Sequence, residues 1–222
     1  LRDQVAHVNS GIPDGGLYGD ARLMEDGSRV PWRLSPEPLT VSSSAARQME
    51  ELGQHLYRFY VAFNRLYLDS VRGNQPGWVA SMLDQGKSER VIELGRLNRI
   101  KSHVPMVIRP DLMELSDGSF VATELDSVPG GIGLLDALTV RYHDIGQDTL
   151  GSINGVVPEF AESLISASGK TDPFIAIVVS DESEAYRAEM SWVGERLSQF
   201  GVKAVTVHPR QLDLRDGSIV VR

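Results

Sequence analysis

The 222-residue chain reads as a mixed α/β protein with a helical N-terminal part, a hairpin-containing mixed sheet and a C-terminal βαβ unit. Three observations lead there. Asp-Gly pairs recur at 26–27, 117–118 and 216–217, each between residues of strand character, and such pairs mark tight hairpins. Apolar residues recur at three- and four-residue steps from Met49 to Tyr67, the period of an amphipathic helix. The β-branched run 174–180, an amphipathic stretch over 185–200 and a second strand over 202–207 form a strand–helix–strand unit. Such a unit implies two parallel strands and a right-handed crossover.

Residues 1–20 are rich in Gly, Pro, Asn and Asp and read as an irregular lead-in. Gly15-Gly16-Leu17-Tyr18-Gly19 lacks a preceding strand, so it reads as a surface loop rather than a phosphate loop. A hairpin is expected over 21–34, turning at Asp26-Gly27, followed by an extended connector marked by Pro31, Pro36 and Pro38. Serines at 42–44 can cap a long helix running to about Arg72. Its Met49, Leu52, Leu56, Phe59, Tyr60, Phe63, Leu66 and Tyr67 make one broad apolar face, expected to pack in the core rather than form a ligand box. Asn74-Gln75-Pro76-Gly77 breaks this helix. Short helices are expected over 78–83 and 88–98, the latter with Val91, Leu94 and Leu97 inward. His103 and the stretch 104–108 then lead into the central hairpin; the histidine reads as solvated or core-satisfied.

The richest stretch is 109–133. Two strands join at Asp117-Gly118, and a glycine-rich loop follows the second. Residues two apart on a strand share a face, so Arg109 pairs with Asp111 on one strand and Glu124 with Asp126 on the other. With a two-residue loop, Arg109 stands opposite Asp126 and Asp111 opposite Glu124. Four charged groups then converge beside Gly130-Gly131-Ile132-Gly133. Pro110 would fall at a ladder position, so a bulge or the end of pairing is expected there. A three-residue loop with a bulge at Gly118 would shift these partners. Three carboxylates and a guanidinium suit a hard divalent cation and a phosphate. A glycine-rich turn can cradle an anion, and so can the N-terminus of the helix expected over 134–142. The alternative is an ordinary hairpin with a salt-bridged rim. Gly-Gly-Ile-Gly by itself lacks the full dinucleotide or Walker pattern.

Further helices are expected over 156–168 and 185–200, the latter with Met190, Val193, Leu197 and Phe200 inward, and a linker over 168–173. Gly169-Lys170-Thr171 echoes the end of a Walker motif but lacks its first glycine and preceding strand. Ser180-Asp181-Glu182-Ser183 lies where α/β sheets place ligands, and reads more simply as a capped helix start. The third Asp-Gly hairpin closes the chain over 212–222. The expected division is into 1–100 (hairpin and helices), 101–168 (charged hairpin, glycine-rich loop and helices) and 169–222 (Rossmann-like βαβ).

Thirty acids against 22 bases give a formal charge of −8, which argues against nucleic acid or an anionic membrane as main partner. The chain has no cysteine, removing disulfides, thiolate metal sites and cysteine nucleophiles together, in keeping with a cytoplasmic setting. No apolar run reaches the roughly 20 residues that span a bilayer.

The order Arg109-x-Asp111, hairpin, Glu124-x-Asp126, small-residue loop resembles the amino-ligase branch of the ATP-grasp superfamily. The likeness is to glutathionylspermidine synthase, circularly permuted ATP-grasp proteins and eukaryotic-type glutathione synthase. It is firm over 103–140, extends over 174–222 and is faint before residue 100. The resemblance implies a pre-ATP-grasp-like fold and an ATP-dependent carboxylate–amine ligase using Mg²⁺ and ATP. It implies Arg109 at the transferred phosphoryl group, Glu124 and Asp126 at the metal, and Asp111, Ser127, Gly130 and Gly131 toward the substrates. Asp126 stands where the family has Asn, and the loop is shorter than in the glutathione synthases. The nucleotide-clamping lysines of the family lie beyond the matching region, so the expectation is the front portion of a longer enzyme, inactive alone. Its partners would be a small-molecule carboxylate and an amine, with oligomeric state unspecified. The alternative is a non-catalytic Rossmann-like binding or interaction domain.

Overall fold

The computed structural model describes residues 2–10, 22–23, 29–30, 34–127 and 130–222, with 22–23 and 29–30 described through their backbone pairing. The fold is mixed α/β, with seven α-helices and eight strands among the described residues. The strands pair as four two-stranded ladders, three antiparallel and one parallel. Two compact units divide the chain: Val41–Pro129 is one, and Leu1–Thr40 with Gly130–Arg222 is the other. These borders differ from the expected 100/101 and 168/169, because the central hairpin groups with the long helix while the helices after it group with the βαβ unit.

The continuous unit begins with the long helix α2 (Ser43–Val71), and its capping follows the sequence closely. The Ser42 hydroxyl accepts from the Ala45 N–H, and Arg72 closes the other end. The buried Ser70 hydroxyl donates to Pro76 O and accepts from Ala80 N, tying α2 to α3 (Gly77–Asp84). Ser88 caps α4 (Glu89–Gly95) in the same manner as Ser42. The residues of 104–108 are not in a strand; the hairpin strands are β3 (Arg109–Glu114) and β4 (Phe120–Asp126). Gln48 Nε2 donates to Gly118 O, fastening the hairpin turn to α2. The expectation that the whole apolar face of α2 lies in a core is corrected in part. Phe59 and Phe63 are exposed and stack on each other with ring centroids 5.6 Å apart. Val91, Leu94 and Leu97 are likewise exposed rather than inward. Among the described residues of this unit only Ala45, Val79 and Ala80 are buried and apolar, so periodicity marks its faces without a core large enough to cover them.

The discontinuous unit holds the main core. β5 (Phe174–Val178) pairs in parallel with β6 (Lys203–Val207), and α7 (Arg187–Ser198) crosses between them after a 3₁₀ turn at Asp181–Tyr186. Val193 and Leu197 of α7 meet Val157 and Ala161 of α6 (Val157–Ser168) and Val202, all at most 1% exposed. Helix α5 (Ile132–Asp144) packs on α7, adding Ala137, Leu138 and Trp192 to a second cluster. The chain start is not irregular throughout: α1 (Arg2–Ser10) is a helix that buries Val8 and packs on α5, with His7 Nε2 3.2 Å from Asp144 Oδ2. Its pattern is too short to announce a helix; the tertiary contact supplies the stability. Strands β1 (Arg22–Leu23) and β2 (Arg29–Val30) are antiparallel, while the expected turn at Asp26-Gly27, the Gly15–19 loop and Pro31 lie outside the described residues. The chain closes with β7 (Leu212–Arg215) and β8 (Ser218–Val221), joined by Asp216 and Gly217, both at positive φ as a type I′ turn requires.

Candidate functional site

The same dipeptide makes a different turn in the central hairpin. Glu114 pairs with Phe120, so the connection is wider than Asp117 and Gly118 alone, with Gly118 at φ 79°. The Asp117 carboxylate accepts from the Ser119 N–H and hydroxyl, which holds it below the usual carboxylate range. That turn shifts every near pair by one residue from the two-residue register, as the sequence warned it could. A second irregularity restores it. Between Asp111 and Leu112 the register slips again, leaving Thr123 as the extra residue, its hydroxyl donating to Asp111 O. Beyond the bulge Arg109 stands opposite Asp126 and Asp111 opposite Glu124.

The bulge decides the faces. Leu112, Phe120 and Ala122 line a groove with α2 residues including Met49 and Leu52. Strict alternation from Ala122 would send Glu124 and Asp126 to that apolar side. The extra residue at Thr123 turns both acids to the side carrying Arg109 and Asp111. The bulge expected at Pro110 therefore lies one pair further in, and Pro110 itself pairs with Leu125.

On the charged face Arg109 is flanked by two acids: Nε is 3.6 Å from Asp111 Oδ1 and Nη2 is 3.3 Å from Asp126 Oδ2. The Arg109 side chain is 48% exposed and that of Asp126 30%. Pairs this accessible contribute about 0–1 kcal/mol each, so the grouping is not needed to hold the hairpin together. Glu124 is exposed at the edge of the cluster. Ser127, directly after Asp126, has its hydroxyl 2.7 Å from the Tyr60 hydroxyl of α2. Among the described residues no group of three or more His, Cys, Asp or Glu side chains is arranged to hold a metal ion. The donor chemistry of Glu124 and Asp126, oxygen without sulfur, fits a hard cation that takes one or two carboxylates and fills its shell with water and phosphate.

The glycine-rich loop and the start of α5 belong to the other unit, and there the structure answers the sequence differently. The expected anion seat already has an anion. Glu189 of α7, 0% exposed, accepts from Gly131 N through Oε2 and from Leu134 N through Oε1, both at 3.0 Å. Two of the N–H groups that a phosphate there would use, those of Gly131 and Leu134, are thereby satisfied within the fold. Both glycines have packing reasons. Gly131 sits at φ 91°, and a Cβ on Gly130 would come within 2.2 Å of the Tyr186 ring. Gly133 is closed in similarly by Glu189 and Val193.

Sequence reasoning missed Glu189 and a second buried acid, Asp136. Asp136 Oδ1 accepts from Val157 N at 2.9 Å and Oδ2 from Arg196 Nε at 3.0 Å. The Arg196 guanidinium also lies over the Phe200 ring, 5.2 Å from its centroid. A signal was present: Glu189, Val193 and Leu197 share one i, i+4 row, so an acid occupied the apolar stripe of α7.

No family model matches the chain. No curated protein matches it either. Among solved structures it is similar to a glutathione synthetase-like effector from Globodera pallida in its apo form, with a TM-score of 0.59 and 15% sequence identity. The match covers 99% of this chain and 54% of that one, so the chain spans about half the length of that structure. At this identity the likeness is one of fold: the chain has a distantly glutathione synthetase-like fold.

Proposed function

We propose that this chain is the N-terminal portion of an ATP-dependent carboxylate–amine ligase of ATP-grasp type, acting in the cytoplasm on a small carboxylate and a small amine. The observation that carries the reading is the return of Arg109, Asp111, Glu124 and Asp126 to one face of the hairpin by the bulge at Thr123. The glutathione synthetase-like fold is in keeping with it. In such a reaction the carboxylate oxygen takes the terminal phosphoryl group of ATP and ADP leaves. The amine nitrogen then attacks the acyl carbon, losing a proton as phosphate departs. Charge on the moving phosphoryl group must be met by fixed cationic groups. Arg109 supplies one, held in orientation by Asp111. Glu124 and Asp126 are the residues to hold Mg²⁺, which would neutralise phosphate charge when bound. Ser127, and separately Gly130 and Gly131, are the residues assigned toward the substrates, with Gly131 contributing backbone shape, since its N–H is held by Glu189.

The test is Arg109→Ala in the full-length gene product, assayed for phosphate release with Mg²⁺, ATP, a carboxylate and an amine. A single preorganised donor at a developing charge is worth about 10²–10³ in turnover, and a loss of that order with an unchanged melting temperature is expected. Unchanged turnover removes Arg109 from the mechanism.

One observation favours a second reading, a non-catalytic binding or interaction domain whose charged hairpin is a salt-bridged rim: Arg109 already has an acid on either side. Calorimetry with Mg²⁺ and ATP on the full-length protein separates the two. Saturable heat that is lost in Arg109→Ala supports the ligase, and its absence in the unsubstituted protein supports the rim.

A further inference from the structure

A cavity of about 330 Å³ lies wholly within the continuous unit, between α2, α3, α4 and the segment 103–105. Tyr60, Phe63 and Tyr67 give it one wall on successive turns of α2, and Val91 and Ile92 of α4 give it another. This is the size and character of a small-molecule site: a largely apolar lining with a few polar groups that fix orientation.

Those polar groups also set the sign of the ligand. Asp84 is fully answered inside the protein: Arg96 Nη2 lies 2.5 Å from Oδ2 and the Tyr67 hydroxyl donates to Oδ1 at 2.8 Å. Arg96 Nε in turn donates to the Tyr67 hydroxyl at 3.0 Å, so that oxygen is committed on both sides. Asn64 gives one Nδ2 hydrogen to Lys101 O, which leaves its second N–H and its carbonyl as a neutral donor and acceptor. The charge that remains is cationic. Lys87 lines the cavity and makes no ion pair or side-chain hydrogen bond among the described residues, and His103 lies on the same cavity. An anionic end is therefore met by Lys87, while a cationic end finds no uncompensated carboxylate.

We propose that this cavity binds a small organic anion, a carboxylate on a flat aromatic or branched aliphatic body, with the body between the α2 and α4 walls and the carboxylate at Lys87. None of Arg109, Asp111, Glu124 and Asp126 lines this cavity, and the inference does not depend on the ligase reading.

Nuclear magnetic resonance on the ¹⁵N-labelled 222-residue chain tests it, with phenylacetate as the probe and benzylamine as its charge-reversed control. Phenylacetate is expected to give saturable shifts confined to amides of 60–67, 83–95 and 103–104, with benzylamine giving none that saturate. Lys87→Gln removes a charge-assisted hydrogen bond and is expected to weaken phenylacetate about tenfold. Val91 is 55% exposed, so Val91→Trp can fill the cavity without disturbing a core, and it is expected to abolish the shifts at an unchanged melting temperature. Equal binding of benzylamine and phenylacetate overturns the charge assignment. Scattered or non-saturating phenylacetate shifts, or shifts that survive Val91→Trp in a folded chain, overturn the site.

Discussion

Glu189 shows how one side chain can change the meaning of a loop. Its two oxygens take the N–H groups of Gly131 and Leu134, so the start of α5 is held from α7. Glu189→Leu leaves both donors without a partner, and each orphaned buried N–H costs about 1–3 kcal/mol. Urea denaturation is expected to show a loss in that range per donor, with Glu189→Gln losing less because it keeps one acceptor. Equal stability of the leucine variant would mean that water replaces the carboxylate. Asp136 and Gly155 form a tighter pair of constraints. A Cβ on Gly155, at φ 87°, would lie 2.0 Å from Asp136 Oδ1, so Gly155→Ala combines a clash with backbone strain of about 1–2 kcal/mol. Glu189 was marked in the sequence only by its place on an apolar row, and Asp136 was not marked at all. An isolated acid on an apolar stripe is a common helix-flank residue, and only the facing element reveals what it accepts from.

At the scale of elements, capping and turns were the most readable features. Ser42 starts α2 among the serines expected to cap it, and Ser88, expected as the first residue of the next helix, caps α4, because a serine hydroxyl before an apolar-periodic run has one favoured use. The central hairpin was readable in its final register and not in its route, since Asp-Gly makes a two-residue turn at 216–217 and a wider one at 117–118. The carboxylate of Asp117 is the difference, turned back onto Ser119. Deleting Thr123 removes the bulge without changing which residues oppose each other beyond it. A double-mutant cycle between Arg109→Ala and Asp126→Ala is therefore expected to give the same small coupling, about 0–1 kcal/mol, with and without Thr123. A measurable coupling that vanishes in the deletion would show that the bulge also sets the geometry of the pair. The link between α2, α3 and α4 through Tyr67 also has a pH signature. Burial chiefly, and the Asp84 contact, push the Tyr67 hydroxyl above the ordinary tyrosine range, against the opposing effect of Arg96. The neutral form is thus favoured by folding, so this contribution is fully present below the ordinary tyrosine range and is lost as pH rises through the raised value. Burial raises the Tyr142 hydroxyl too, so tyrosinate absorbance is expected to show more than one late-titrating group, of which one disappears in Tyr67→Phe.

Across the whole molecule, burial is uneven. The fully covered residues Val157, Val193, Leu197, Val202 and Val207 all lie in the unit built from Leu1–Thr40 and Gly130–Arg222, whereas the Val41–Pro129 unit buries small residues and leaves Phe59, Phe63, Trp78 and Met82 exposed. Local stability follows buried apolar contact, so amides of β5, β6 and α7 are expected to exchange with solvent far more slowly than those of β3 and β4. Comparable protection in the two groups would contradict that ranking. The mixed α/β class and the βαβ crossover were plain in the sequence because strand and helix periods differ so clearly there. The division into units was not, since it depends on which hairpin meets which helix. The two one-residue irregularities between the Arg109–Asp111 and Glu124–Asp126 pairs have a consequence for anyone searching genomes for similar chains. Either can be gained or dropped without moving an acid from its place, so kindred proteins are expected to carry the two motifs at several separations. A search pattern with fixed spacing would overlook them, and an alignment that forbids gaps inside this hairpin would match the wrong carboxylates.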